Sequence, residues 1–466
     1  MAILELRILP PLAIARLGSS PEPLEAFDLL PPDDSPLGYR VIAPQPTFIV
    51  DEATGEIVKE YTPERVSFKD GAGRVRPAAP FLEVFARTSD DEDALVSLTP
   101  DLLERHGSSL GALSWTVAVS NIKIFRRTGQ DGDKIVARLG PITSHERLPL
   151  SGHCENFLPG RVLPLGSVQF IKPTIQHPEV RLRFTPAAGA VYGTNRLRHV
   201  TKTQQEPDPI INHDDLVLYD EHKGRWRGYK DGTGPTVTNP PAIYAGYADG
   251  DDQVSWGYLD DECDGHVRVA LKLTDGRELT AHGHIGAGPP RFAPDSLPLR
   301  TVSDELEQIL LGSTVEESEY TLEDAADLVR RGLESVRLLN TTVMNGNPVD
   351  GRPSVASMMP QQDADNFGRY YAPIAAESLV DNLALRTLHE RAFGALLSGT
   401  APWFPDLMRR PEEIGDLSAQ ARRKMPAMMR GADGRALTFT RRQIDLVVKA
   451  ASGLLASAGT SKKGQP

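Results

Sequence analysis

The six residues Asp260-Asp261-Glu262-Cys263-Asp264-Gly265, "DDECDG", put four acids and one of the chain's two cysteines in a row. Such residues serve three chemistries: metal binding through oxygen ligands, thiol or redox chemistry, and the corner of a hairpin. A calcium loop of the EF-hand type spreads its ligands over about a dozen positions and closes on a bidentate Glu. "DDECDGHVRVALK" has no such Glu. Asp-Gly between alternating apolar runs is the chemistry of a tight turn. The stretch is therefore read as a strand "VSWGYLDD", a corner at Asp264-Gly265, and a returning strand "HVRVALKL". Cys263 becomes a turn or edge residue.

Four other places carry residues with chemical potential. His282 and His284 in "HGH" share one face if the segment is a strand, but a metal site needs a third ligand from elsewhere. "INHDD" (211–215) offers His213 with Asp214 and Asp215 in a Pro- and Asp-rich loop, where solvent exposure is the plainer reading. In "SGHCEN" (151–156), His153 stands beside Cys154. Adjacent side chains in extended chain point apart, so a Cys–His nucleophile is not expected. Trp115, Trp226, Trp256 and Trp403 read as core or rim aromatics. Catalytic and cofactor-binding residues stay unassigned on these grounds, and no metal site is expected.

The elements that must position these residues change character near residue 300. Before it, "LELRIL" (4–9), "ERVSFKD" (64–70), "FLEVFAR" (81–87), "SWTVAVSNIKIF" (114–125), "SVQFI" (167–171), "EVRLRF" (179–184) and "HVRVALKL" (266–273) read as strands. Several alternate with period two, which puts one face on a core and one in water. "KDGAG" (69–73) and "TDGR" (274–277) supply turn chemistry between such runs. After it, "TLEDAADLVRRGLESVRLL" (321–339) opens on Thr321 with Asp324 three residues on, and its apolar residues recur at helical spacing. Residues 371–399 read as a long helix, and Thr440 with Gln443 opens another running to about Leu455. The fold class expected is mainly β in the N-terminal two-thirds, β-sandwich-like and multi-sheet, with an α-helical C-terminal region: α+β overall. The expected domains are a β-rich domain (1–300), an α-helical region (301–455) and a disordered polar tail (456–466).

Composition bounds the function. The 466 residues carry a net charge of −12, with 40% hydrophobic and 24% charged residues. This argues against a general nucleic-acid binder, which needs clustered Lys and Arg. No run approaches the roughly 20 apolar residues of a membrane helix. The N-terminus has no secretory pattern, so the cytoplasm is expected. Two cysteines are too few for a disulfide framework or a four-thiolate zinc site. No GxGxxG, Walker A or GxSxG motif is present.

Taken in order, several stretches resemble the LodA/GoxA-like family, whose members are amino-acid oxidases carrying cysteine tryptophylquinone. They are "LAIARLGSSPE" (12–22), "FKDGAGRVRPAAPFLEVF" (68–85), "LSWTVAVSNIK" (113–123), "GYLDDECDGHVRVAL" (257–271), "GAGPPRFAPDSLPL" (286–299) and "KMPAMMRGADGRALTFTRRQIDLV" (424–447). The resemblance implies a scaffold on which a primary amine or amino acid condenses with the quinone, loses its α-proton to a carboxylate base, and gives ammonia and peroxide. It also implies a quinone built from a Cys and a Trp downstream of the Leu-Thr-x-x-Gln helix. Here no cysteine follows Cys263, and about twenty residues follow Gln443. No quinone-forming residue is carried over, so the cofactor is unknown. The functional expectation divides between a diverged enzyme and a binding or assembly component, with an active amine oxidase or a metal-dependent enzyme on the same scaffold as alternatives. The apolar stripe Ile444, Val447, Val448, Leu454 and Leu455 is expected at a subunit or partner interface, in a homo-oligomer or a complex. A small-molecule amine is the implied substrate, and neither nucleic acid nor membrane is an expected partner.

Overall fold

Alternation of inward apolar and outward polar residues builds the first part of the chain. The computed structural model describes residues 2–31, 37–38, 40–192, 214–219, 223, 246–249, 252–255, 259–290, 297–337, 383–414, 416, 424–426 and 438–457. The strands used below are β1 (Ile3–Leu9), β2 (Leu12–Arg16), β3 (Thr47–Val50), β4 (Ile57–Tyr61), β5 (Phe81–Thr88), β6 (Asp91–Ser97), β7 (Leu113–Asn121) and β8 (Ile135–Ile142). They continue with β9 (Leu148–Gly152), β10 (Leu163–Phe170), β11 (Arg181–Thr185), β12 (Val191–Tyr192), β13 (Leu259–Asp260), β14 (Cys263–Lys272) and β15 (Glu278–Gly288). One sheet has the order β1-β5-β11-β10-β9, with β6 also on β5, and the other has the order β8-β7-β14-β15-β2. Only the β15–β2 pairing of the second sheet is parallel.

Both sheets feed one core. Leu82, Val84, Ala86, Leu182 and Phe184 come from the first, and Trp115, Val117, Val119, Val267 and Val269 from the second. Trp115 meets Phe170 across it at 6.2 Å between ring centres. The β3–β4 hairpin lies over the outer face of the first sheet, where Phe48 packs edge-on to Phe81 at 6.0 Å.

The chain divides into two compact units, residues 1–28 with 43–291, and residues 29–42 with 292–466. Among the described residues the first unit holds two short α-helices, α1 (Pro100–Arg105) and α2 (Lys123–Thr128), and the second holds four α-helices: α3 (Val302–Leu311), α4 (Leu322–Arg337), α5 (Leu383–Leu397) and α6 (Arg441–Ala451). Helix α4 begins as expected, the Asp324 carboxylate accepting from the Thr321 N–H and the Thr321 hydroxyl from the Asp324 N–H. Helix α6 carries the full Thr440–Gln443 capping box. The part of the 371–399 helix before residue 383 and the tail beyond 457 lie outside the described residues.

Three expectations need correction. Residues 64–70 are not a strand, because the Ser67 N–H is taken by the Glu25 carboxylate rather than by a neighbouring strand. The 114–125 strand stops at Asn121, whose side-chain oxygen accepts the Lys123 N–H and turns the chain into a short helix, Lys123–Thr128. The α6 stripe is covered within its own unit: Ile444, Val447 and Leu455 belong to that unit's core, leaving Val448 and Leu454 partly exposed. The exposed apolar residues gather instead on α3, at Val302, Leu306, Ile309 and Leu310.

Arg40 ties the 29–42 segment to α4. Its Nε donates to Glu334 at 2.9 Å and its Nη2 to Asp327 at 3.1 Å, with Arg40 and Glu334 only 5% and 1% exposed. Glu334→Gln keeps the shape and an acceptor for the Arg40 Nε but removes the charge, leaving Asp327 as the one carboxylate among the described residues that pairs with Arg40. Urea unfolding is expected to show a loss of about 2 kcal/mol, the scale of a buried hydrogen bond to a charged group. A loss below about 0.5 kcal/mol would assign the pair the small value of a surface ion pair.

Candidate functional site

The acidic segment is the densest cluster of ionisable groups singled out above, and its geometry differs from the hairpin corner. Asp264 and Gly265 lie inside β14, each paired with both neighbours: Asp264 faces Ser120 on one side and Gly286 on the other. The corner reading is wrong here. The tight turn of this hairpin is at Asp275-Gly276, between β14 and β15, where Gly276 has φ +86°. Strand β13 pairs with β12 and not with β14.

Each acid has its own task. Asp260 and Glu262 both bind the Lys123 ammonium, the former at 2.6 Å. Asn121 adds a bond from its side-chain amide to the Asp260 carbonyl at 2.8 Å. Asp261 turns inward, 1% exposed, and accepts the N–H groups of Gly189 and Ala190 at 3.0–3.1 Å. Burial pushes its carboxyl up to about 7, against the pull of those two donors. Burial and the two N–H donors therefore act on this carboxyl in opposite directions. The adjoining cavity, about 100 Å³ and lined by Lys123, Glu262 and Cys263 among others, is smaller than the few hundred Å³ of a typical ligand site.

The thiols sit in the core. Cys154 and Cys263 are free, 5% and 6% exposed. Burial pushes each up to about 12, with the Asp264 and Asp261 charges adding to the rise at Cys263. Cys263 is the buried first residue of β14, its Sγ 3.5 Å from the Leu165 carbonyl, rather than a turn residue. His153 is exposed while Cys154 is buried, so the two side chains do point apart.

A quinone of the family's kind needs a Cys sulfur bonded to an indole. Trp115 is opposite Val269, six residues along β14 from Cys263, which separates them by roughly 20 Å at strand rise. Cys154 follows His153, which pairs with Val136, itself opposite Ser120. Ser120 and Trp115 are five positions apart on β7, roughly 17 Å. The described cysteines and tryptophan of this unit therefore do not fit the group. Trp403, 48% exposed, belongs to the other unit, while Trp226, Trp256 and His213 lie outside the described residues.

The histidines are brought together in a way the "HGH" spacing does not reveal. His284 is directly opposite His266, and His282 is opposite Arg268, all on the outer face of the second sheet. Among the described residues no group of three or more His, Cys, Asp or Glu side chains is arranged to hold a metal ion. No helix among them is long and apolar enough to cross a membrane.

No family model matches the chain, and no curated protein matches it. Solved structures do. The crystal structure of the L-Lys epsilon-oxidase from Marinomonas mediterranea aligns at 16% identity with a TM-score of 0.46, covering 97% of this chain and 61% of that one. Its Schiff base intermediate with L-Lys aligns at 16% identity and TM-score 0.45, and a further structure of the epsilon-lysine oxidase from the same organism at 15% and 0.47. The chain spans about three-fifths of the length of these structures.

Proposed function

We propose that this chain is a non-catalytic binding or assembly component on a scaffold related to the amino-acid oxidases, acting as a homo-oligomer or with a protein partner. The observation that supports this best is the burial of both thiols. Cysteine chemistry runs through the thiolate, and a thiol raised to about 12 is almost wholly protonated at neutral pH. The order of the matching stretches, from residue 12 to residue 447, supports the kinship.

Intact mass, a visible spectrum and thiol titration of the purified protein test the proposal together. The expected result is the mass that the sequence dictates, no visible band, no reaction with Ellman's reagent in native buffer, and two equivalents of thiol in guanidinium. A visible band with a mass shift, and fewer than two thiols after unfolding, would overturn it in favour of a quinone-bearing oxidase.

A further inference from the structure

Among the described residues, Arg183 has a ring contact but no ion pair. It stands on β11 between Gln169 of β10 and Phe81 of β5, and its guanidinium lies over the Phe81 ring at 5.4 Å. Its Nε is shut off from solvent with no hydrogen-bond partner. The neighbouring cations are all engaged: Arg181 with Glu83 at 2.8 Å, Arg147 with Glu52 and with the Ser167 hydroxyl, Arg74 with Asp70 at 2.8 Å. Among the described residues no carboxylate pairs with Arg183. Burial lowers it to about 10, with Arg147 pushing the same way and Glu52 opposing, so it still carries its charge at neutral pH. A buried guanidinium N–H without an acceptor carries an unmet desolvation cost, which a ligand carboxylate would relieve.

The space beside it is large enough for that completion. Arg183 lines a cleft of about 1060 Å³ within the first unit, at the upper end of the range for small-molecule sites. Ile49, Pro77, Pro149 and Pro186 give it apolar walls. Ser167 also lines it and accepts from Arg147 Nε at 2.7 Å, which leaves the Ser167 O–H to donate. Charge decides the class of ligand. Arg74 and Arg147 are held by Asp70 and Glu52, so Arg183 is, among the described residues, the lining cation that no ion pair engages, which matches a single carboxylate better than a phosphate dianion, while the lining carboxylates of Glu22, Glu52 and Glu146 are exposed to solvent.

We propose that this cleft binds a small organic monoanion, its carboxylate held by the Arg183 guanidinium and the Ser167 hydroxyl and its apolar body along the proline-lined wall. The site goes beyond the proposed assembly role and stands whichever way the quinone question falls. The test is calorimetric titration and thermal melting of the whole chain with phenylacetate, acetate and inorganic phosphate. Phenylacetate is expected to bind saturably and raise the melting temperature, more than acetate, which lacks the apolar body, and more than phosphate. Arg183→Gln is expected to weaken phenylacetate at least about tenfold, the scale of a lost charge-assisted pair, without lowering the melting temperature of the free protein. Arg183→Lys keeps the charge but loses the planar fork, and is expected to fall between the two. No saturable binding, binding indifferent to both variants, or phosphate outcompeting phenylacetate would each overturn the proposal. A marked drop in the melting temperature of unliganded Arg183→Gln would do so as well, by showing that the cation serves the fold instead.

Discussion

Gly265→Val is expected to abolish folding or to destabilise the protein by more than about 4 kcal/mol, beyond the usual range for overpacking. A Cβ added at Gly265 lies 2.0 Å from the Ala118 carbonyl oxygen and 2.7 Å from the Val119 Cα. Both obstacles are backbone of β7, so no side chain can move aside. Strand β14 is the middle strand of its sheet, paired along its length with β7 and β15, and shifting it disturbs both ladders. Gly276→Ala supplies the contrast. Nothing lies within 4 Å of a Cβ there, and only the strain of φ +86° opposes the substitution. Its cost is expected at about 1 kcal/mol, the ordinary price of a non-glycine residue in that region. Guanidinium unfolding of the two variants separates the positions. A Gly265→Val protein as stable as Gly276→Ala would return Asp264-Gly265 to an open turn.

That pair of glycines also marks where sequence reading stops. Asp-Gly occurs at 264–265 and at 275–276 between alternating runs, and locally the two are equivalent. One glycine is required by a turn and the other by a neighbouring strand more than a hundred residues away. Only the tertiary pairing tells them apart. Where local chemistry suffices, the reading succeeds: the alternation of "FLEVFAR" yields β5, and the Thr440–Gln443 pair yields the start of α6. It fails where side chains from distant segments take over backbone groups, as Glu25 does at Ser67. The candidate sites follow the same rule. "HGH" shows two imidazoles, but His266 joins them only through strand register. Period two puts Arg181 and Arg183 on one outer face, yet nothing near them in sequence says that Glu83 pairs with the first and that the second is left over. Asp261 reads as one more surface acid until the backbone of residues 189–190 closes over it.

Asp261 should make stability fall with rising pH in a way that its amide counterpart does not. The carboxyl is raised from 3.8 to about 7 in the folded chain. A group raised on folding contributes stability that is fully present below its unfolded value and is lost as pH rises through its folded value. The window is therefore from about pH 4 to about pH 7. The shift is about three units at about 1.4 kcal/mol each, so the full change is on the order of 4 kcal/mol. Other carboxylates titrate over part of this range, so the informative quantity is the difference between wild type and Asp261→Asn. The asparagine oxygen can still accept from Gly189 and Ala190, and it remains neutral at every pH. Wild type is accordingly expected to lose ground to Asp261→Asn steadily from pH 4 to pH 7, with the difference flat above pH 8. Opposite behaviour has an equally clear meaning. If wild type gains on the variant as pH rises, the two N–H donors outweigh burial, and Asp261 is an ionised anchor for the Gly189–Ala190 turn rather than a carboxyl raised by burial.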